Sequence, residues 1–204
     1  MKIDPSSLDW RGTHHLMMGA LVPRPIAFVS TVNADGINNL APFSCFAPIC
    51  QKPTLFNFSI STTRDGRRKD TINNIEATWE FVLNVVTEDI AEQMNQASYP
   101  YSPEVDEFEK CRLTPVKADL VKPPMVGESP VNIECRVRQV LEFGEGVRRT
   151  HMVIGEVLRV HVRDELYVEG RIQPSKLKAV GRLGEDYYCY VRDIFEMKRP
   201  YQVD

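Results

Sequence analysis

Leu55-Phe56-Asn57-Phe58-Ser59-Ile60-Ser61 changes character at every residue. In an extended chain Phe56, Phe58 and Ile60 fall on one side, and Leu55, Asn57, Ser59 and Ser61 on the other. That period of two predicts a strand with one buried face and one face ending in small hydroxyls. Working outward, Ile26–Val32 (IAFVSTV) is β-branched and aromatic and reads as a strand. Asn33-Ala34-Asp35-Gly36 is a turn signal, with a second strand expected from about residue 37. Phe81–Val86 (FVLNVV) predicts another strand. Val131, Ile133, Cys135, Val137 and Leu141 mark a long one, followed by a hairpin turn at Gly144-Glu145-Gly146 and a partner strand over 149–162.

Helical signals are short and few. Residues 1–23 read as an arm or a short helix. Asp70 or Thr71 is placed to cap a helix carrying Ile72, Ile75 and Trp79. Thr87 is placed to cap another, with Glu88 and Asp89 in its first turn and Ile90, Met94 and Ala97 on its apolar side. A brief helix is expected near Ser175–Val180. Between Tyr99 and Pro130 the chain carries Pro100, Pro103, Pro115, Pro123, Pro124 and Pro130 with little periodicity, which reads as a long ordered excursion. Strands outnumber helices and no strand–helix–strand unit repeats. This argues for an antiparallel barrel with added helices and against a doubly wound parallel sheet. One domain is expected over 1–204, with the barrel core at about 20–200.

Composition narrows the function. The 204 residues include 25 Lys and Arg against 28 Asp and Glu, a net charge of −3. With no basic excess and no interleaving of aromatic and basic residues, nucleic-acid binding is not expected. The uncharged stretch Ile37–Gln51 is too short and too polar to span a bilayer. The opening MKIDPSSLDWRG lacks the apolar segment of a signal peptide. Five cysteines, an odd number with no CxxC pair, point to a reducing compartment, so a cytoplasmic protein is expected.

No GxSxG elbow, GxGxxG or GxxxxGK[ST] loop occurs, and His14, His15, His151 and His161 assemble no metal set. Two stretches remain. Ser59, Ser61, Lys69, Asp70 and Thr71 combine hydroxyls, an ammonium and a helix start, a set that binds phosphate; equally, strand-end serines can be solvated and KDT a helix cap. Asn39–Ser44 (NLAPFS) contains Pro42, which confines its strand to an edge or a bulge. Backbone groups freed there suit a planar ligand, or the proline protects the edge from pairing.

At these residues the sequence resembles the flavin reductase family with the FMN-binding split barrel. The resemblance runs over about 20–200. It rests on PRPIAFVST at 23–31, DG..NLAPFSCF at 35–46, SIS at 59–61, DG..KDT..NI at 65–75, EFVLNVV at 80–86, EFE at 107–109, IEC at 133–135, IGEV at 154–157 and GRLG at 181–184. It implies a mainly β, six-stranded antiparallel Greek-key split barrel with added helices, binding FMN at a homodimer interface. The phosphate positions map to Ser59, Ser61, Lys69 and Thr71, with Asp70 as a cap and Ile60 counted among the cofactor-binding residues. The isoalloxazine edge maps to Asn39, Leu40, Ala41, Pro42, Phe43, Ser44 and Cys45. Arg24 matches a motif near the phosphate or ribityl chain.

GRLG resembles a segment that covers the flavin, although the family's RLGG becomes Gly184-Glu185 here. His151, before IGEV, matches a histidine near the nicotinamide; as a plain residue it reads equally as a half-buried strand histidine. The implied activity is NAD(P)H:flavin oxidoreduction, with hydride passing to flavin N5 and electrons going on to a monooxygenase or other acceptor. The alternative is a flavoredoxin-like FMN protein reduced by another donor. Arg64, Arg67 and Arg68 form either a field that attracts an anionic dinucleotide or a solvated loop.

Overall fold

The computed structural model describes residues 1–200. In chain order the elements open with α1 (Trp10–Ala20), β1 (Ala27–Val32), β2 (Asn38–Phe43), β3 (Phe46–Gln51), β4 (Thr54–Ser61), α2 (Asp70–Thr78) and β5 (Glu80–Val85). The excursion contributes α3 (Ala91–Gln96), α4 (Glu107–Cys111) and two short strands, β6 (Pro115–Val116) and β7 (Met125–Val126). Two long strands follow, β8 (Val131–Glu145) and β9 (Arg148–Val162). The chain closes with β10 (Tyr167–Val168), β11 (Arg171–Ile172), α5 (Pro174–Leu177), β12 (Val180–Arg182) and β13 (Tyr188–Tyr190). Among the described residues no helix is long and apolar enough to cross a membrane.

Seven antiparallel strands form the main sheet in the order β2-β1-β5-β8-β9-β4-β3. Its two end strands, β2 and β3, are successive in the chain and separated only by Ser44 and Cys45. The sheet therefore curls until its ends meet at that break. The expected count of six strands is corrected to seven because residues 38–51 make two strands instead of one. Pro42 and Pro48 lack N–H donors, and a register shift falls between Pro48 and Cys50.

The predicted alternation of β4 places Phe56, Phe58 and Ile60 in the barrel interior. There Phe81 lies 5.9 Å from Phe56 and 5.3 Å from Phe58, centroid to centroid, both edge-on. Phe81 also lies against Gly155 of β9, where a Cβ would come within 2.4 Å of the ring. Ile72 and Ile75 of α2 join the same interior cluster. A second cluster lies on the opposite face of β1, where Ile26, Phe28 and Leu40 pack with Ile90, Met94 and Phe108. Strand β1 is thus covered on both sides, which accounts for its unbroken apolar run.

The proline-rich excursion is ordered by buried polar groups on the strands. Asn84 Oδ1 accepts from Val126 N at 2.8 Å, and Ser30 Oγ donates to Pro124 O at 2.5 Å. Glu134, fully buried on β8, accepts from the amides of Asp119, Leu120 and Val121 and meets His161 Nε2 at 2.6 Å. Burial pushes its pKa up, but the hydrogen bonds from His161 and the Leu120 and Asp119 amides outweigh burial and hold it below the usual 4.5.

Three local expectations shift. Trp79 lies just past α2 with a left-handed backbone (φ 58°) and is 48% exposed, so it leaves the helix's apolar stripe. The hairpin turns at Gly146-Val147, while Gly144 stays in the strand, where a Cβ would sit 2.2 Å from Arg148 O. Lys69, with no side-chain bond, is the N-cap of α2, in place of Asp70 or Thr71.

Gly155→Ala should lower stability by about 1–3 kcal/mol through overpacking against Phe81, read as a lower urea midpoint at unchanged m-value. Glu134 should contribute stability that is present above its unfolded pKa and is lost as pH falls through its lower folded pKa. Glu134→Gln should cost about 1.5–3 kcal/mol at neutral pH. In urea titrations between about pH 3 and pH 7, the variant should lose that acid-limb component.

Candidate functional site

Helix α2 begins without a side-chain cap: the Lys69 carbonyl accepts from the Ile72 and Asn73 amides at 3.1 and 3.3 Å, and among the described residues the Asp70 and Thr71 amides have no acceptor. The helix is pinned across the ends of β1 and β2 by two amide–hydroxyl pairs. Asn39 Nδ2 donates to Thr71 Oγ1 at 3.1 Å, and Asn74 Nδ2 to Thr31 Oγ1 at 3.1 Å. Lys69 extends its ammonium over the Phe43 ring, 5.3 Å from the centroid. Among the described residues it has no carboxylate oxygen within 4.0 Å. Burial lowers its pKa, and the charge of Glu107 works in the opposite direction.

Of these groups, Asn39, Lys69, Thr71 and Glu107 face a cavity of about 280 Å³. Its floor holds Asn39, Ala41 and Pro42, one wall runs from Arg67 to Thr71, and the opposite wall is Ala97–Pro103 with Glu107. The excursion therefore supplies half of the enclosure, including Tyr99 and Tyr101, whose rings lie 4.9 Å apart. Arg67 and Arg68 carry their own counter-ions, Asp65 at 2.7 Å and Glu76 at 2.5 Å. Asp70 is raised by burial and by Glu104, against Arg67. Glu107 is raised to about 7, chiefly by burial; Asp70 and Asp106 add to that, while the Leu40 amide and Lys69 oppose it. The arrangement is a half-enclosed slot with one unpaired ammonium, uncapped helix amides and two carboxyls that resist ionisation. It is suited to an anionic group attached to an apolar body.

Six residues expected at the site line this cavity: Asn39, Ala41, Pro42, Lys69, Asp70 and Thr71. Phe43 lies behind the lysine. The other expected residues are elsewhere. Leu40 and Ile60 are core side chains, and the Leu40 N–H is already donated to Glu107. Ser59 is on the outer side of β4 with its N–H on Cys45 O at 2.9 Å, and Ser61 Oγ pairs with Thr150 Oγ1 at 3.0 Å. Cys45 is exposed at the β2–β3 break.

Arg24 is a clamp. Its guanidinium donates to Met18 O (2.6 Å) and Leu21 O (2.7 Å) at the end of α1 and to Leu183 O (2.7 Å), with Ser44 Oγ at 3.5 Å. It thereby satisfies carbonyls that a helix end leaves open. His151 is 3% exposed and points into the barrel on the same side as Val153. Its Nε2 lies 3.1 Å from Glu142 Oε2 without hydrogen-bond alignment. The Tyr99–Pro130 excursion is the segment expected from the sequence to shield the site, and its Tyr99–Pro103 stretch walls the cavity. Glu107 went unassigned by sequence reasoning, and the EFE motif was the available signal.

Residues 18–176 match the family described as flavin reductase like domain. The chain belongs to the flavin reductase-like family. The family implies a flavin cofactor and oxidoreductase chemistry, and the lysine-bearing cavity fits the phosphate of such a cofactor. A protein of Halalkalibacterium halodurans is 37% identical over 202 residues, covering 98% of this chain and 97% of that protein. Among solved structures, nitrilotriacetate monooxygenase component B from Bacillus cereus superposes with a TM-score of 0.92 at 31% identity, over 97% of this chain and 98% of that one. The 2-nitrobenzoate 2-nitroreductase of Pseudomonas fluorescens gives 0.90 at 29% identity, over 100% and 98%.

Arg24→Ala should release the end of α1 from residue 183. Amide exchange over 17–21 and 182–184 should accelerate, and stability should drop by about 2–3 kcal/mol, the scale of charge-assisted bonds lost together. Unchanged exchange in both segments would remove the clamp role.

Proposed function

We propose that this flavin reductase-like protein is an NAD(P)H:FMN oxidoreductase whose flavin phosphate is held at the start of α2. The observation that carries the reading is Lys69, a largely buried ammonium without a carboxylate partner, beside uncapped helix amides in a cavity. Lys69 and Thr71 would bind the phosphate directly. Asp70, in the first turn, would face it across the cavity. Asn39, Ala41 and Pro42 would flank the bound cofactor, with Phe43, Ser44 and Cys45 continuing that edge toward β3. Ser59, Ser61 and Arg24 lie outside the cavity and would reach a flavin only along the outer face of the β2–β3 break. Bound FMN supplies the ring that accepts and passes on electrons. The chain's own contribution is to hold it, orient it and limit water through the Tyr99–Pro103 wall.

A homodimer belongs to the same proposal. Helix α1 buries none of its residues, and Trp10, Leu16, Met17, Phe195 and Met197 leave apolar surface that a second copy would cover. The similarity to component B of a two-component monooxygenase supports an oxygenase as electron acceptor. Five free cysteines support a reducing, cytoplasmic setting. One observation favours a second reading, an FMN electron carrier reduced by another donor: the His151 ring is enclosed in the barrel and so presents nothing to a nicotinamide.

Purified protein should take up FMN and, under anaerobic NADH or NADPH, bleach the flavin absorbance. Flavin uptake with no reduction by either nucleotide would establish the carrier reading instead. No flavin uptake would overturn both. Lys69→Ala should raise the FMN dissociation constant about 10- to 150-fold, the range of one charge-assisted hydrogen bond. Ser59→Ala, outside the cavity, should change it far less.

A further inference from the structure

The cavity contains a carboxylate that phosphate binding leaves without an evident task. Glu107 opens α4 and lines the same enclosure as Lys69, Asp70 and Thr71. One carboxylate oxygen accepts the Leu40 N–H. Among the described residues, its other oxygen has no hydrogen-bond partner. We infer that Glu107 is a specificity-determining counter-charge of this site, and that it takes up a proton whenever a phosphomonoester dianion settles beside Lys69. The inference rests on the flavin reading above and adds the price in protons that the site sets on its ligand.

The charged groups around Glu107 leave little alternative. From the α2 side come Lys69 and Asp70, with Arg67 and Arg68 already paired to Asp65 and Glu76. From its own helix come Asp106 and Cys111, and the segment before that helix adds Glu104, Tyr99 and Tyr101. Strand β2 presents only the Leu40 amide. Among the described residues Lys69 is therefore the one cation nearby that is not committed, and it stands more than 4.0 Å away. A dianion placed against Lys69 would meet two carboxylates in a poorly solvated space, where like charges repel strongly. Glu107 is the more buried of the two and already titrates at about 7. Once protonated, it can still accept the Leu40 N–H with one oxygen while its new O–H becomes a donor to the ligand.

Calorimetry of FMN binding in two buffers of different protonation heat, at about pH 8, reads the proton directly. Close to one proton should be taken up per FMN, and none for riboflavin, which lacks the phosphate. Above that pH the FMN dissociation constant should rise roughly tenfold per pH unit. Glu107→Gln keeps an oxygen for Leu40; it should bind FMN several-fold more tightly at about pH 8 and abolish the uptake. FMN binding without uptake, or uptake that persists in Glu107→Gln, would overturn the inference. The comparison of FMN with riboflavin on the unmodified protein needs no variant. Failure of the unmodified protein to bind FMN at all would instead overturn the flavin reading.

Discussion

The contact between Phe81 and Gly155 sets the scale of the barrel. A ring from β5 occupies the space that a side chain on β9 would fill, so these strands approach closely across the interior. Phe56 and Phe58 pack edge-on against that ring, and Phe43 and Phe46 join them 5.5 and 5.4 Å away. Because Phe43 ends β2 and Phe46 begins β3, the same aromatic group holds both ends of the curled sheet at the Ser44–Cys45 break. Helix α2 then has a fixed seat, with Ile72 and Ile75 in the interior cluster. The position of Lys69 follows from that seat.

Much of this was legible in the sequence, for a physical reason. Period-two alternation in β4 and the continuous apolar run of β1 are local consequences of one-sided and two-sided burial. The strand–turn–strand grammar at 26–43 needs only propensity and turn chemistry. What failed was non-local. The division of residues 38–51 into two strands depends on how the sheet meets itself, which two prolines mark but do not determine. Trp79 has the spacing of a helical stripe residue, yet the left-handed turn that ends α2 carries it outward. The excursion gave no periodic signal because buried side chains of other elements hold it: Ser30, Asn84 and Glu134.

The candidate site divides along the same line. Lys69, Asp70 and Thr71 were legible because a helix start is a local pattern, and Asn39, Ala41 and Pro42 because a proline in a strand is a local anomaly. Ser59 and Ser61 share their chemistry but point out of the other side of the sheet, a distinction that depends on barrel curvature. Arg24 looked like a phosphate ligand and is engaged in holding carbonyls at the end of α1. His151 read either as a histidine near the nicotinamide or as a half-buried strand histidine, and it lies inside the barrel. Its burial follows from register, since it shares the inward side of β9 with Val153 and Gly155. Glu107 was legible only as part of the EFE motif and not as a site residue, because α4 reaches the cavity only through the fold of the excursion.

The hydrogen bond from Leu40 to Glu107 has a second side. Strand β2 is an end strand, and its outward amides are an open template for another strand. Asp106 and Glu107 lie along that edge, the first accepting from Asn38 Nδ2 at 2.8 Å and the second from the Leu40 amide. The helix that charges the cavity also shields the sheet from adding a foreign strand. Glu107 thus faces the cavity on one side and holds the strand edge on the other. A chain that relaxed the cavity's electrostatics by losing α4 would expose the edge on which self-association begins.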